Sequence, residues 1–176
     1  MKLTKFKDIP LFTSDGNYQI DLDIKRVPNW IKDEQEWGLQ LNPKFQRGHV
    51  WTEEQQIAWL EYFLRGGKSG NVIYFNNPSW HYNVKDGAYN EYVCVDGLQR
   101  ITAIMHFINN EIKVFGSYFK EYEDPRVLHR FTIKFNVNDL KSEKEVLQWY
   151  LDMNSGGTPH STEEIEKVKK MIQELE

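Results

Sequence analysis

Asp96, Gly97 and Arg100 are the residues of this sequence whose types and spacing best suit binding chemistry. They follow a short apolar strand and lie where a helix is predicted to begin. The first turn of a helix carries unpaired N–H groups and the positive end of the helix dipole, so it favours an anion. A glycine there lets the backbone approach a ligand closely, and an arginine adds a bidentate grip on phosphate or carboxylate. The pattern therefore indicates a phosphate site.

The same residues also have an ordinary structural explanation, and local physics leaves both open. Asp96 suits the N-cap of the helix, Gly97 eases the turn, and Arg100 can pair with a nearby acid. The string of residues 96–100 is short and recurs by chance. Other parts of the chain must therefore decide between a binding site and a simple helix start.

A loop at residues 41–51 supplies a second arginine. Its proline and its glycine predict an extended start followed by a tight bend, so that Gln46 and Arg47 project side by side. Arg47 is a candidate phosphate ligand and Gln46 a candidate contact to a base or a water. The alternative for Arg47 is an ion pair with an acid. His49 suits acid or base chemistry, but a single loop histidine is usually a surface residue.

A third stretch lies at the end of a predicted helix over residues 142–153. Asn154, Gly156 and Gly157 follow one another closely there. Consecutive glycine amides can form a concave nest that binds phosphate. The alternative is a helix C-cap, for which asparagine and glycine are the expected residues.

In this order the three stretches resemble the motifs of the DUF262 family. That family is the N-terminal domain of GmrSD-type and SspE-type defence proteins that sense DNA modification, within the ParB/sulfiredoxin-like superfamily. Its D-G-Q-Q-R motif matches residues 96–100, its P-x-Y/F-Q-R-x-x-V-W motif residues 43–51, and its N-x-x-G-x-P-L-S motif residues 154–161. Leu98 replaces the first glutamine of D-G-Q-Q-R, and His160 replaces the leucine of the third motif.

The resemblance implies a domain that binds a nucleoside triphosphate with Mg²⁺, hydrolyses it, and contacts DNA or a partner effector protein. The catalytic residues carried over are Asp96, Gln99 and Arg100, with Asp96 also holding the metal. The residues carried over for nucleotide and phosphate binding are Gln46, Arg47, Gly97, Arg100, Asn154, Gly156 and Gly157. Because Leu98 breaks the motif, the alternative is a non-catalytic module that recognises nucleic acid or protein.

Composition narrows the class of protein. The 176 residues are 40% hydrophobic and 14% aromatic, which suits one domain spanning residues 1–176. The net charge of -4 excludes the strongly basic surface of a dedicated duplex binder. The single cysteine, Cys94, lies in an apolar strand and is expected to be a buried structural thiol. With no signal peptide, no long apolar run and no H-N-H pattern, we expect a cytoplasmic protein without a membrane partner or a C-terminal HNH nuclease domain.

Hydrophobic periodicity predicts an α+β fold, a small mixed β-sheet of four to six strands flanked by helices, which the resemblance makes ParB/sulfiredoxin-like. Residues 30–40 fit either a short helix or a loop. The aromatic segment 116–130 is expected to cover the site, and Trp80, His81 and Tyr82 are candidates for stacking on a base. The predicted helices span residues 53–65, 97–109, 142–153 and 161–175, and the predicted strands residues 18–24, 71–75, 89–95, 111–115 and 131–137.

Overall fold

The computed structural model describes residues 4–5, 9, 17–80, 88–154 and 161–175. These residues form a mixed sheet of four strands, which are β1 (Tyr18–Asp23), β2 (Val72–Asn76), β3 (Val93–Asp96) and β4 (Thr132–Asn138). The order of the strands in the sheet is β1–β4–β2–β3. β1 pairs antiparallel with β4, β4 pairs parallel with β2, and β2 pairs antiparallel with β3. The predicted α+β class is confirmed, and the ParB/sulfiredoxin-like assignment stays a prediction.

Helices cover both faces of this sheet. The α-helices in the described residues are α1 (Val27–Glu36), α2 (Glu53–Leu64), α3 (Leu98–Ile108), α4 (Glu143–Asn154) and α5 (Thr162–Glu174). One core cluster joins α1, α2 and α3 to the side of the sheet that carries Ile73, Cys94 and Phe135. A second cluster joins α4 and α5 to the opposite side, which carries Val93 and Val95. β3 is therefore buried on both faces, in agreement with its uninterrupted apolar sequence.

The predicted helix at residues 53–65 is confirmed, and it begins with a capping box. The Thr52 hydroxyl accepts from the amide of Gln55, whose side chain accepts in turn from the amide of Thr52. The undecided segment 30–40 is largely helical. Val27 and Ile31 are fully buried one turn apart, and a proline in the first turn suits a helix start.

The predicted strand at residues 111–115 is wrong. The backbone φ is 65° at Asn110 and 48° at Phe115, so left-handed residues turn the chain at both ends of the segment. The backbone N–H and C=O groups of Val114, which in a strand would bond to a neighbouring strand, bond locally instead. Val114 exchanges backbone hydrogen bonds with Ser117, and its carbonyl oxygen accepts from the Tyr122 hydroxyl. The apolar alternation there reflects packing of Ile112 and Val114 into the core.

The aromatic segment 116–130 also differs from expectation. Phe119 and Tyr122 pack edge-on against Phe107, at the C-terminal end of α3, with ring centroids 5.7 and 6.0 Å apart. The segment therefore closes the core at the end of α3 that lies away from Asp96. In the described part of the chain, no helix is both long and apolar enough to cross a membrane.

Candidate functional site

A cavity of about 650 Å³ lies at the N-terminal end of α3. The Asp96–Gly97 turn and the first turn of α3 form one side, and the 41–51 loop forms another. The 41–51 loop and α2 together form an aromatic wall of Trp51, Trp59 and Tyr62. The loop that precedes β2 adds Ser69 and Gly70, and α4 contributes its last turns. The lining residues are Gln46, Arg47, Trp51, Trp59, Tyr62, Ser69, Gly70, Val95, Asp96, Gly97, Leu98, Gln99, Arg100, Tyr150 and Met153.

Arg100 holds Asp96 and the loop before β2 together. Its Nη2 donates to Oδ2 of Asp96 at 2.5 Å, and its Nη1 donates to the carbonyl oxygens of Gly70 at 2.6 Å and Val72 at 2.8 Å. The Arg100 side chain is 11% exposed, whereas the Asp96 side chain is 44% exposed. Arg100 therefore orients Asp96, and the Asp96 carboxylate is the member of the ion pair that a ligand in the cavity can reach.

Gly97 owes its identity to packing as well as to the turn. Its φ is 125°, a conformation that residues with a side chain rarely adopt. A Cβ placed on Gly97 would lie 2.6 Å from Cγ2 of Ile73 on β2. Gly97 is also the N-cap of α3 and offers no capping side chain. The first turn of α3 therefore faces the cavity without a side-chain cap in the described part of the chain.

Gln46 fixes the 41–51 loop to the end of β3. Its amide nitrogen Nε2 donates to the carbonyl oxygens of Cys94 and Val95. The backbone of Gln40, just before this loop, bonds to Tyr92 and Cys94 as a short parallel extension of the sheet. The 41–51 loop is thereby placed beside the Asp96–Gly97 turn.

Gln99 makes the second connection between these two segments. Its Oε1 accepts from the amides of Val50 at 2.9 Å and Trp51 at 3.0 Å, and its Nε2 donates to the carbonyl oxygen of Gly48 at 2.7 Å. The Gln99 amide is thus engaged with the 41–51 loop. In this arrangement it shapes one wall of the cavity.

Arg47 reaches toward α5. Its Nη1 lies 3.6 Å from Oε2 of Glu164, and the two side chains are 24% and 22% exposed. Glu164 also accepts from the Ser161 amide in the capping box of α5. A second contact joins the same elements, because Lys167 Nζ donates to the carbonyl oxygen of Lys44 at 2.6 Å. The Arg47–Glu164 pair is long for a hydrogen-bonded ion pair.

Tyr150 lies where the fields of these charges overlap. Burial raises the pKa of its hydroxyl to about 12, and the Glu164 carboxylate adds to the increase. Arg47 lowers the pKa and Asp96 raises it. The Tyr150 ring also packs on Phe45 at 5.1 Å, which anchors the 41–51 loop to α4. Tyr150 therefore reaches the cavity as a neutral phenol.

Sequence reasoning missed the aromatic wall. Trp51, Trp59 and Tyr62 line the cavity, and none of them is among the site residues predicted from the sequence. Trp59 and Tyr62 are three residues apart on α2 and lie beside its buried stripe, a spacing that offered a signal. The Nε1 of Trp59 is buried without a hydrogen-bond partner among the described residues.

Most of the predicted site residues meet at this cavity. Gln46, Arg47, Gly97, Gln99 and Arg100 all line it together with Asp96. Asn154 is the last residue of α4, one position beyond the cavity residue Met153. Gly156 and Gly157 lie outside the described residues.

Of the three candidates for stacking on a base, the structure describes Trp80 alone. Trp80 packs edge-on against Tyr18 at 4.7 Å and is not among the residues that line the cavity. His81 and Tyr82 lie outside the described residues. Among the described residues, the aromatic side chains that line the cavity are those of Trp51, Trp59, Tyr62 and Tyr150.

The side chains that line the cavity are suited to a metal ion that binds together with a ligand. No group of three or more His, Cys, Asp or Glu side chains that can hold a metal is present in the part of the chain that the structure describes. Asp96 is half-exposed and held in place by Arg100. Mg²⁺ is commonly bound by one or two carboxylates together with substrate phosphates and water, so Asp96 fits that mode of binding.

A comparison with known protein families gives a match over much of the chain. The profile of the family described as GmrSD restriction endonuclease, N-terminal domain, matches residues 28–132, more than half of the chain. The match includes the 41–51 loop and the Asp96–Gly97 turn and ends before residues 154–161. No curated protein matches the sequence significantly.

Proposed function

The chain belongs to the family of GmrSD restriction endonuclease N-terminal domains, and on that premise we propose that its cavity binds a nucleoside triphosphate together with Mg²⁺. Family membership makes it a DUF262 domain of the kind associated with restriction and defence. Nucleotide binding and hydrolysis are the parts that we propose for this chain.

One observation carries the proposal. Arg47 and Asp96 come from segments far apart in sequence and line a single cavity of about 650 Å³ at an N-terminal helix end that has no side-chain cap. Ligand pockets typically measure about 300–1,000 Å³, so a nucleotide is a suitable occupant. An N-terminal helix end favours the negative charge of its phosphates.

Asp96 is the residue that we propose for the metal and for activation of water. The ion pair with Arg100 fixes the direction of the Asp96 carboxylate, while leaving 44% of the Asp96 side chain exposed. Mg²⁺ would neutralise phosphate charge and polarise the phosphoryl group when bound. Asp96 would hold its hydration shell or accept a proton from the attacking water.

Arg47 is the residue that we propose for direct phosphate contact. Its present partner, Glu164, lies at 3.6 Å and both side chains retain some exposure, so exchange of that carboxylate for a phosphate requires little rearrangement. A phosphate oxygen accepts the same bidentate donors that a carboxylate does. Arg100, by contrast, supports the site by holding Asp96 and the loop before β2.

The aromatic wall suits the base of the nucleotide. Trp51, Trp59 and Tyr62 lie on the side of the cavity formed by α2 and the 41–51 loop. Base stacking on an aromatic ring contributes about 1–3 kcal/mol per base and tolerates any base. This wall therefore supports affinity more than discrimination among bases.

The wider setting follows from the family. Its printed description is a restriction endonuclease, so we propose that nucleotide binding in this chain controls an effector that acts on DNA. DNA and a partner effector protein are accordingly the proposed macromolecular partners.

A specific observation favours a second candidate, which is binding without hydrolysis. Leu98 is the first residue of α3, is 8% exposed and lines the cavity. It places an alkyl group where the family motif that the sequence resembles has an amide. A module of this kind would hold a nucleotide or a nucleic-acid phosphate as a regulatory ligand and release no phosphate.

Isothermal titration calorimetry with each of the four ribonucleoside triphosphates, with and without Mg²⁺, tests the proposal. Saturable heat that requires Arg47 supports it, and Arg26→Gln is a matched control because Arg26 is 77% exposed in a local pair with Asp23. A phosphate-release assay then separates the two candidates. Absence of heat with every nucleotide at millimolar concentration would exclude both forms of nucleotide binding.

A further inference from the structure

A series of hydrogen-bonded polar side chains lies against the 41–51 loop, on the side of the loop that does not line the cavity. Gln56 of α2 is 5% exposed and stands between the imidazoles of His49 and His106. Its Nε2 lies 3.2 Å from Nε2 of His49 and 3.3 Å from the carbonyl oxygen of Trp51. Its Oε1 lies 2.7 Å from Nδ1 of His106.

The chemistry of these groups fixes the direction of each hydrogen bond. A carbonyl oxygen only accepts, so the Gln56 atom that faces Trp51 must be the amide nitrogen. That nitrogen is also a donor toward His49, which must therefore present an unprotonated Nε2. The opposite atom, Oε1, accepts from the protonated Nδ1 of His106.

We propose that Gln56 is a positioning residue that holds the 41–51 loop in its binding conformation, and that it does so only while Nε2 of His49 is unprotonated. The carbonyl oxygen of Trp51 accepts from Gln56, and the amide of Trp51 donates to Gln99. Both backbone polar groups of Trp51 are therefore held by glutamine side chains. Arg47 precedes this residue in the loop, so Gln56 acts on the proposed site through the loop. The effect on ligand affinity rests on the proposed function, whereas the effect on the loop does not.

The surroundings of His49 set the direction of its pH response. Burial lowers the pKa of His49 below 6.5, and His106 lowers it further. The titratable groups that face His49 are the His106 imidazole on α3, at 5.9 Å between ring centroids, and beyond it the Glu111 carboxylate, 3.5 Å from His106 Nε2. α2 faces it with the uncharged Gln56. Because the folded protein binds a proton at His49 less readily than the unfolded chain does, His49 contributes to the stability of the folded state above pH 6.5. That contribution is lost as the pH falls through the lowered pKa of His49.

Amide hydrogen exchange measured by NMR tests the proposal on the whole chain. Protection factors of Val50 and Trp51, whose amides donate to Gln99, should fall about tenfold as His49 becomes protonated. His49→Gln should abolish that step, and His129→Gln, at an exposed position, should retain it. A wild-type protection profile without a step at the titration of His49 would overturn the proposal.

Gln56→Glu distinguishes positioning from simple core filling. The glutamate has nearly the same shape, but its carboxylate favours protonated His49 and repels the Trp51 carbonyl, so the pH dependence of protection should reverse. A variant that folds and keeps the wild-type direction would overturn the proposal. If the wild-type protein binds no nucleotide, the proposed function fails while these exchange measurements still decide the role of Gln56.

Discussion

Nη2 of Arg100 lies 2.5 Å from Oδ2 of Asp96, one helical turn apart across the start of α3. Because Nη1 of the same guanidinium bonds to the carbonyl oxygens of Gly70 and Val72, the arginine is held by three acceptors. Its role is to present Asp96 to the cavity and to secure the loop before β2. In the proposed function, contact with the anion is therefore assigned to Arg47 and to the amides of α3.

Arg47→Gln should weaken nucleotide binding about tenfold to a hundredfold, since a hydrogen bond to a charged group contributes about 1.5–3 kcal/mol. Calorimetric Kd values at fixed ionic strength check this result, with Arg26→Gln as the control for the loss of one positive charge. Equal Kd values for Arg47→Gln and wild type would show that Arg47 does not contact the ligand.

Asp96→Asn should remove the dependence of binding on Mg²⁺. The amide oxygen can still accept from Arg100, so the fold is expected to persist, but a neutral group no longer attracts the cation. The measurement is the ratio of nucleotide Kd values with and without Mg²⁺, together with phosphate release. Asp21→Asn is the matched control because Asp21 forms an exposed pair with Lys134 on the other edge of the sheet. An unchanged Mg²⁺ ratio in Asp96→Asn would refute the assignment.

Gly97→Ala should destabilise the fold by about 2–5 kcal/mol, because a positive φ and a methyl group pressed against Ile73 both cost free energy. Gly38→Ala is the control. Its φ of 97° is similarly unfavourable, but a Cβ there would meet nothing within 4 Å, so about 1–2 kcal/mol is expected. Urea unfolding monitored by tryptophan fluorescence gives both values. Equal losses for the two variants would show that the contact with Ile73 is unimportant.

Cys94 should resist alkylation in the folded protein. The thiol is fully buried, and burial together with the Asp96 carboxylate raises its pKa, so the reactive thiolate is suppressed. Iodoacetamide labelling followed by mass spectrometry should show modification only when urea unfolds the chain. Rapid labelling in native buffer would mean that β3 opens readily, which the two core clusters around it argue against.

Local signals in the sequence were sufficient for much of the fold. The capping boxes at Thr52 and Ser161 placed the starts of α2 and α5, because a cap depends on residues within one turn. The apolar run before Asp96 placed β3. The strand predicted at residues 111–115 was wrong because the alternation of apolar residues there arises from burial against the core. The left-handed backbone at residues 110 and 115 excludes the hydrogen-bond pattern of a sheet.

The site itself was predicted in location more than in detail. Motif residues identified the place, but the two carbonyl partners of Arg100 lie 28 and 30 residues away, and the partners of Gln99 lie 48 to 51 residues away. Such contacts depend on tertiary packing, which no local pattern encodes. The aromatic wall was missed for a related reason, because Trp59 and Tyr62 resemble ordinary packing residues until the neighbouring loop is placed.

The most direct test of nucleotide binding at this site is a crystal structure of the protein soaked with a non-hydrolysable nucleoside triphosphate and Mg²⁺. The account predicts phosphates between the first turn of α3 and Arg47, a metal ion beside Asp96, and the base against the wall of Trp51, Trp59 and Tyr62. A nucleotide bound elsewhere, or an empty cavity at saturating nucleotide with Arg47 still paired to Glu164, would contradict it.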